Sequence, residues 1–408
     1  MKKWTFILAI IFAGIELGAQ PKIKLGIDVL RERNFDLLQG KRVGLITNPT
    51  GVDRFLKSTA DILFEAKEVQ LVALYGPEHG IRGDTQGGDS VNDSKDPKTG
   101  IPVYSLYGAT RRPTKEMLTD IDVLVYDIQD IGCRSYTFVS TMGLAMEACA
   151  QFGVEFVVLD RPNPLGGEKV EGCLTEEENL SFVSQFKIPY IYGLTCGELA
   201  TMLNQEGMLS GKCALTVVPM EGWRRFMDFP QTGLHWVPTS PHIPHADSPF
   251  FYVSTGILGE LYVVSIGVGT TLPFQLVASD GISAERLADR LNALNLTGVY
   301  FRPVYIKPYY SVGQGLDYQG VQIHFTNYKE AVLTDIQFYI MQEIYALNAK
   351  LDFFKLAPSR MRMWNQVCGS DFISNEFSKG YRFETIRAYW HKDDQGFKER
   401  SGRYYLYD

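Results

Sequence analysis

Cysteine is scarce in this sequence, and its spacing excludes two common kinds of structural site. Among 408 residues there are 6 cysteines, and no two of them form a C-x-x-C pair or a zinc-ligand pattern. They are Cys133, Cys149, Cys173, Cys196, Cys213 and Cys368. A disulfide scaffold needs a far higher cysteine density in a short chain, so we expect mostly buried thiols.

A block of basic residues is also absent. The formal net charge is −7 and the isoelectric point is about 5.5. A nucleic-acid site normally carries clustered lysine and arginine, so the sequence predicts no nucleic-acid partner. A hydrophobic content of 45% with 21% charged residues is instead typical of a globular protein with a sizeable core.

Long hydrophobic runs are missing beyond the N-terminus, where none reaches the ~18 residues that a membrane-spanning helix needs. The N-terminal sequence MKKWTFILAIIFAGIELGAQ begins with two lysines after Met1, continues with a short apolar stretch and then reaches Leu-Gly-Ala. This order predicts a secretory signal peptide over residues 1–20, with an uncleaved anchor as the alternative. We therefore expect an exported protein, periplasmic or secreted, with no integral membrane segment after cleavage.

Several motifs of catalytic and cofactor sites are missing as well. The sequence has no G-x-S-x-G nucleophile elbow, no P-loop, no H-E-x-x-H and no G-x-G-x-x-G dinucleotide fingerprint. His235, His242 and His245 lie close together, but in an irregular proline-rich segment without a metal-ligand spacing. We expect neither a cofactor nor a metal ion.

What the first half does contain is a repeated unit, in which an apolar run ends in a polar, glycine-bearing loop. The runs are 42–47, 69–75, 101–106, 122–127 and 154–160, and a helical pattern covers 137–152. Because the runs are apolar throughout, they are typical of parallel strands that are buried on both faces. The pattern predicts an α/β fold with a parallel sheet covered by helices, over residues 21–235.

The character of the chain changes at the proline-rich segment 236–250, where we predict a domain boundary. The second half mixes predicted strands at 262–268, 299–305 and 321–325 with helices beginning at Ser283 and spanning about 329–351. Ser283 is a suitable N-cap residue. We predict a smaller α+β domain over residues 236–408.

The carboxyl ends of parallel strands meet at one edge of a sheet, which is where open α/β sheets bind ligands. The polar residues that follow the predicted strands should therefore lie together. These residues are Asn48, Glu78, His79, Arg82, Asp127, Asp130, Arg134, Asp160, Arg161 and Asn163.

Glu78, in the sequence LYGPEHGIRGD, is the first candidate for catalysis. A carboxyl group in a half-apolar loop can have a raised pKa and serve as a general acid. The alternative is a carboxylate that only stabilises a helix N-terminus.

Two further carboxylates, Asp127 and Asp130, lie in the sequence YDIQDIGCRSYTF together with Arg134 and Tyr136. Either aspartate could supply a second catalytic carboxylate, and Arg134 could orient it. The alternative is an ordinary Asp130–Arg134 ion pair at a helix start. Asp160, Arg161 and Asn163 lie in the proline-bounded sequence LDRPNPLGG, which is typical of a binding loop or simply of a turn.

Taken together, these motifs resemble one family. GLITNPTGVD, YGPEHGIRGD, VLVYDIQDIGCRSYTFVSTM, VLDRPNPLGG and WVPTSPHIP occur in this order. The chain is thereby similar, over nearly its whole mature length, to the NamZ-type exo-β-N-acetylmuramidases, formerly a domain-of-unknown-function family. The resemblance implies a Rossmann-like N-terminal domain, a smaller C-terminal domain and a pocket in the cleft between them.

The resemblance also implies an activity, the hydrolysis of terminal β-1,4-linked N-acetylmuramic acid from peptidoglycan fragments. It implies Glu78 as the acid/base, with His79, Asp127 and Asp130 in the same pocket. Glycoside hydrolysis usually needs two carboxyl groups, although the sugar's own acetamido group can replace the nucleophile.

For the substrate's lactyl carboxylate, a cationic or amide-rich partner is expected, and Arg134, Arg82 and Asn48 are the candidates. Tyr136, Asp160, Arg161, Asn163, His235 and Trp236 are the remaining predicted substrate contacts.

One segment departs from the family's pattern. Where many members have SEGRGT, this chain has SIGVGTT over residues 265–271, so that Ile266 and Val268 replace a glutamate and an arginine. A following PFE becomes PFQ, with Gln275. The replacement leaves two other readings open, a shifted sugar specificity and a non-catalytic protein that binds cell-wall glycans.

Overall fold

The computed structural model describes residues 23–78, 80–83, 94–108 and 110–408. The predicted signal peptide and His79 lie outside these residues. In the part that is described, no helix combines the length and the apolarity needed to cross a bilayer.

Seven strands in the first half form one sheet, because their apolar side chains are buried on both faces. They are β1 (Arg42–Thr47), β2 (Gln70–Gly76), β3 (Ser94–Lys95), β4 (Pro102–Ser105), β5 (Val123–Asp127), β6 (Glu155–Leu159) and β7 (Leu215–Val218). Their spatial order is β3-β4-β2-β1-β5-β6-β7, and all neighbours are parallel except β3 with β4. The predicted parallel sheet is confirmed.

Helices cover both faces of this sheet, as predicted. They are α1 (Gly26–Glu32), α2 (Thr59–Glu65), α3 (Lys115–Leu118), α4 (Phe138–Phe152) and α5 (Cys196–Gln205). Leu30 of α1 and Leu63 of α2 belong to the core on one face, whereas Met142 of α4 and Leu199 of α5 belong to the core on the other. Helix α4 ends where Gly153 adopts φ 73°, a left-handed conformation that suits glycine.

The strands β2 and β4 lie on one side of β1, and β5, β6 and β7 lie on the other. In an open α/β sheet, ligands usually bind at such a switch in strand order, here between β1 and β5. Here the protein's own groups occupy that position. Thr47 Oγ1 donates a hydrogen bond to the Asp127 carbonyl oxygen at 3.0 Å. A Cβ atom added at Gly51 would lie 2.0 Å from Thr47 Oγ1. The crevice between β1 and β5 is therefore closed to a ligand.

The second half contains a small antiparallel sheet and the remaining helices. The strands β8 (Leu276–Ser279), β9 (Val299–Ile306) and β10 (Tyr318–Phe325) are ordered β8-β10-β9. The helices are α6 (Ser248–Gly259), α7 (Ala284–Ala293), α8 (Asp335–Leu347), α9 (Phe353–Leu356), α10 (Met361–Cys368), α11 (Asp371–Phe377), α12 (Glu384–Trp390) and α13 (Asp394–Ser401). The predicted α+β character is confirmed.

Two elements of this half differ from the prediction. The predicted strand 262–268 is wrong, since only Ser265 forms a bridge there, to Ala278. Tyr262 has φ 54° and Gly267 has φ 84°, and these left-handed conformations interrupt an extended strand. The predicted helix 329–351 is shorter and corresponds to α8, whereas α7 begins after Ser283, whose side chain accepts a hydrogen bond from Arg286 N as expected.

The cysteines are free and buried, as expected. Burial raises the pKa of the Cys133 thiol to about 11 and that of Cys173 to about 12. These thiols therefore stay protonated at neutral pH and act as small apolar side chains.

Candidate active site

A large cleft lies between the two halves, with a volume of about 1160 Å³. The first half contributes residues from the loops after β2, β4 and β5, and the second half contributes α6 and the segment that follows it. Its lining includes Glu78, Tyr107, Arg111, Tyr136, Thr137, Phe182, His242, Glu260, Ile266 and Val268. The cleft thus lies at the predicted edge of the sheet, but beside the closed crevice rather than in it.

Glu78 lies in the wall formed by the first half, two residues after β2 ends, and is half-buried. Thr137 Oγ1 donates a hydrogen bond to Glu78 Oε2 at 3.1 Å. Burial raises the pKa of Tyr107 to about 12, and the charge of Glu78 and a hydrogen bond to it add to that shift. Two hydroxyl groups therefore orient the Glu78 carboxylate towards the cleft.

Glu260 belongs to the part of the lining that the second half contributes, directly after α6. Burial raises the pKa of its carboxyl group, and the neighbouring Arg360 opposes that shift. Arg360 Nη2 lies 2.8 Å from Glu260 Oε2, and Arg360 Nε donates to the Glu260 carbonyl oxygen at 2.8 Å. In the described lining, Glu78 and Glu260 are the two carboxyl groups.

Tyr136 also lines the cleft, as expected for a substrate contact. Its hydroxyl group shares a hydrogen bond of 2.7 Å with Thr239 Oγ1, and its ring meets those of Phe138 and Tyr252 edge to face. Burial raises the pKa of Tyr136, so that it remains a neutral phenol.

Asp127 does not lie in the cleft, contrary to the expectation of a second catalytic carboxylate there. Arg161 Nε donates to Asp127 Oδ1 at 2.5 Å, and Arg161 Nη2 donates to Oδ2 at 2.9 Å. Thr59 Oγ1 donates to Oδ2 at 2.5 Å. Both residues are fully buried, so Asp127 and Arg161 form a structural ion pair at the closed crevice.

Asp130 is likewise buried and outside the cleft lining. Its Oδ2 accepts hydrogen bonds from the Tyr192 hydroxyl and from Gly132 N. Burial raises the pKa of Asp130 to about 7. The alternative of an Asp130–Arg134 ion pair is also wrong, because Arg134 bonds elsewhere.

Arg134 and Arg82 use their guanidinium groups within the protein. Arg134 donates to Ser184 Oγ and to four carbonyl oxygens, those of Cys173, Ile188, Val367 and Cys368. Arg82 pairs with Asp96 at 2.9 Å and with Asp61 at 3.3 Å. Neither arginine lies in the cleft lining, which corrects their expected role towards the lactyl carboxylate.

The other polar residues at strand ends stabilise loops. Asn48 Oδ1 accepts from Thr50 N at 3.0 Å, and Asn163 Oδ1 accepts from Leu165 N at 3.0 Å. Asp160 accepts from Gly197 N at 2.8 Å at the start of α5, and burial raises its pKa to about 6. These side chains stabilise the edge of the sheet that carries the cleft.

His235 and Trp236 also lie away from the cleft lining. His235 borders a crevice of about 20 Å³ beside Arg161, which is too small for a sugar. Trp236 Nε1 donates to the Ile243 carbonyl oxygen at 3.1 Å, and its ring packs on Phe229 with centroids 4.8 Å apart.

Several residues of the cleft were not predicted, among them Tyr107, Arg111, Phe182 and Glu260. Tyr107 and Arg111 lie in the loop YGATRRPT, directly after the predicted strand 101–106, so the strand-end rule pointed to this loop. Phe182 and Glu260 carry no local pattern, since their position depends on how distant segments pack.

The departure at SIGVGTT does affect the cleft. Ile266 and Val268 both line it, so an apolar surface stands where the resemblance implies a glutamate and an arginine. Gln275 is half-buried and lies outside the lining.

Comparison with known proteins identifies relatives of the whole chain. Models of the exo-β-N-acetylmuramidase NamZ N-terminal and C-terminal regions match residues 43–247 and 250–407. The peptidoglycan β-N-acetylmuramidase NamZ of Bacillus subtilis (strain 168) is 43% identical over 394 residues, covering 96% of this chain and 93% of that protein.

Two crystal structures of DUF1343 family proteins from Bacteroides fragilis NCTC 9343 have the same fold. One is 60% identical with a TM-score of 0.92, and the other is 29% identical with a TM-score of 0.75. Each alignment covers 95% of this chain and 99% of the other.

Proposed function

Because the chain belongs to the exo-β-N-acetylmuramidase NamZ family, we propose that it is a glycoside hydrolase that removes terminal N-acetylmuramic acid. Its substrates are the non-reducing ends of peptidoglycan fragments, in which the sugar is β-1,4-linked. The observation that carries the proposal is the Glu78 carboxylate, which faces an interdomain cleft large enough for a disaccharide.

In this proposal Glu78 is the general acid. It donates a proton to the glycosidic oxygen while the bond from that oxygen to C1 of the muramic acid breaks, and water finally adds at C1. The hydrogen bond from Thr137 and the contact with Tyr107 support this role, because they fix the carboxyl group in one orientation. General acid catalysis of this kind typically contributes about 10²–10⁴-fold in rate.

We propose Glu260 as the second carboxyl group, in place of Asp127 or Asp130. It lines the same cleft as Glu78 but comes from the second half of the chain, and glycosidases usually flank the scissile bond with two carboxyl groups. Glu260 can attack C1, activate water or orient the 2-acetamido group for attack. The anomeric form of the first product, observed by NMR, separates inversion from the two retaining routes.

Defined glycan fragments test the reaction directly. Chains that end in N-acetylmuramic acid at the non-reducing end should each lose one such sugar, and mass spectrometry should find a product that now ends in N-acetylglucosamine. Chains that already end in N-acetylglucosamine should remain intact. Release of a peptide or acyl group from an intact glycan would contradict the proposal.

A non-catalytic glycan-binding protein is the second candidate, and the apolar lining at Ile266 and Val268 is the observation that favours it. Binding of the same fragments without any product would support it.

We also propose that the protein is exported to the periplasm or secreted, on the strength of its N-terminal sequence. Mass spectrometry of the mature protein should find a new N-terminus at or near residue 21.

A further inference from the structure

The cleft contains a cationic group that the mechanism above does not use. Arg111 is the one arginine or lysine in the described part of the lining. The other basic side chain there, His242, already shares a hydrogen bond of 2.7 Å with the Tyr310 hydroxyl group. Arg111 is solvent-exposed, and no carboxylate of the described residues forms an ion pair with it.

The guanidinium group of Arg111 is held by an aromatic ring rather than by an acid. Its Cζ lies 4.3 Å from the centroid of the Phe182 ring, in a cation–π contact. Stacking uses the flat face of the guanidinium and leaves its N–H groups at the edge free to donate. Arg111 is thus a planar donor that contacts one ring and has no carboxylate partner among the described residues.

Arg111 is also close to the proposed acid. The Phe182 and Tyr107 rings are 6.4 Å apart, and Tyr107 hydrogen-bonds with Glu78. The charge of Arg111 lowers the pKa of Tyr107, against the larger effects of burial and Glu78. Arg111, Phe182, Tyr107 and Glu78 therefore form one continuous surface along the wall of the first half.

N-Acetylmuramic acid carries its one carboxylate on a lactyl ether at C3, two ring carbons from the C1 at which the bond breaks. A protein group that binds this carboxylate must therefore lie near the general acid, and the distance between the two must match the part of the sugar ring from C1 to C3. Arg111 meets this requirement, and a planar guanidinium binds a carboxylate through two parallel hydrogen bonds. Arg134 and Arg82 cannot serve, because their donors are used within the protein.

We propose that Arg111, stacked on Phe182, binds the lactyl carboxylate and determines the preference for N-acetylmuramic acid over N-acetylglucosamine. This inference rests on the proposed function, since it assigns the specificity of that same cleft. Arg111 is a specificity residue, because it contacts a part of the sugar that does not change during the reaction.

The test compares three nitrophenyl β-glycosides, those of N-acetylmuramic acid, of its lactyl amide and of N-acetylglucosamine. For Arg111→Gln we expect kcat/KM on the first to fall about 10- to 100-fold, as for the loss of a charge-assisted hydrogen-bond pair. The change should be mostly in KM, because the contact is the same in ground and transition states. The low activity that the activated leaving group allows on the two neutral substrates should change less than about threefold, and Arg111→Lys should be intermediate.

The matched control is the neighbouring Arg112, whose Nη2 donates to Gln151 Oε1 at 2.7 Å outside the cleft. Arg112→Gln should keep the wild-type preference. An equal loss on all three substrates in Arg111→Gln, or no loss on any, would overturn the inference.

A binding measurement separates this inference from the proposed function. Free N-acetylmuramic acid should raise the melting temperature of the wild type, and Arg111→Gln should abolish the shift. If the wild type hydrolyses nothing but shows this Arg111-dependent shift, the hydrolase proposal fails and the recognition site stands. If the wild type hydrolyses the substrate and Arg111→Gln changes neither preference nor binding, the recognition site fails alone. If there is neither hydrolysis nor binding, both fail.

Discussion

At the level of single residues, the proposed reaction uses two carboxyl groups that have different neighbours. Glu78 is held by two neutral hydroxyl groups, whereas Glu260 is paired with the cation Arg360. Burial raises the pKa of the Glu260 carboxyl group, and Arg360 opposes that shift. The two hydroxyl partners fix the orientation of Glu78, and this geometry supports Glu78 as the acid and Glu260 as the second carboxyl group.

Replacement of Glu260 tests its proposed role. Glu260→Gln keeps the size of the side chain, and we expect kcat to fall by at least about 10²-fold, because the second carboxyl group is lost while Glu78 remains. Circular dichroism should show an unchanged fold.

Arg360→Gln is the control, since it removes the ion pair but leaves the carboxyl group. It should retain far more activity than Glu260→Gln. Equal losses in the two variants would mean that Glu260 acts only through its ion pair with Arg360, and would contradict its role as the second carboxyl group.

The sequence predicted some residues of the cleft correctly and misplaced others. Glu78 and Tyr136 were found in the cleft because strand-end loops of a parallel sheet gather at one edge. Asp127 and Asp130 follow a strand by the same rule, but burial and their neighbours turn them inward. The direction of a side chain within such a loop depends on partners distant in sequence, such as Arg161 and Tyr192, and periodicity does not report them.

At the scale of elements, His391 joins three helices of the second half. Its Nε2 lies 2.6 Å from Asp335 Oδ1 of α8, and its Nδ1 lies 2.6 Å from Asp394 Oδ2 of α13. Burial lowers the pKa of His391, but the two carboxylates outweigh that effect and raise it to about 10. His391 is therefore an imidazolium that forms two hydrogen bonds, and it holds the end of α12 against α8 and α13.

This contact predicts a pH-dependent stability. Because the folded-state pKa is raised from 6.5 to about 10, the stabilisation is complete below pH 6.5 and is lost as the pH rises through about 10. His391→Gln should lower the free energy of unfolding on the order of 2 kcal/mol at pH 6 and much less above pH 10. Urea unfolding at both pH values measures the difference.

His324→Gln is the control, since His324 is an exposed residue of β10 whose pKa is lowered. It should show no such loss at pH 6. A loss in His391→Gln that is the same at both pH values would contradict the imidazolium assignment.

The short helices around His391 are a part of the fold that the sequence did not predict. Five sheet strands, β1, β2, β4, β5 and β6, and the helix α4 were predictable, because apolar runs and a long helical period identify them. The helices α9 to α13 have 4–8 residues each, too few for a periodic signal. They depend on packing of aromatic residues such as Phe338 and Trp390, whose ring centroids lie 5.2 Å apart.

At the scale of the whole molecule, the shape of the cleft depends on how the two halves are joined. Arg134 is fully buried and donates to Cys173 and Ile188 in the first half and to Val367 and Cys368 in the second. One guanidinium group therefore connects the two halves of the chain. Its position in the interdomain contact explains why a residue expected at the substrate is found in the interior.

Arg134→Met should consequently destabilise the whole protein. Similar side-chain volume is retained, but five hydrogen bonds are lost and four buried carbonyl oxygens lose their donor, so we expect a loss of at least about 3 kcal/mol. Differential scanning calorimetry measures this as a lower melting temperature.

Arg33→Met is the matched control, because Arg33 forms an exposed ion pair with Asp36. It should change stability by less than about 1 kcal/mol. A similar small effect in Arg134→Met would contradict the interdomain role.

Hydrolysis of N-acetylmuramyl-β-1,4-N-acetylglucosamine by the wild type and by Glu78→Gln tests Glu78 as the general acid most directly. The wild type should release both sugars, and the variant should be slower by about 10²–10⁴-fold, because the natural leaving group needs a proton. On an activated nitrophenyl glycoside the loss should be smaller. Wild-type rates in Glu78→Gln on the disaccharide would contradict Glu78 as the acid, and an inert wild type would contradict the assignment as a muramidase.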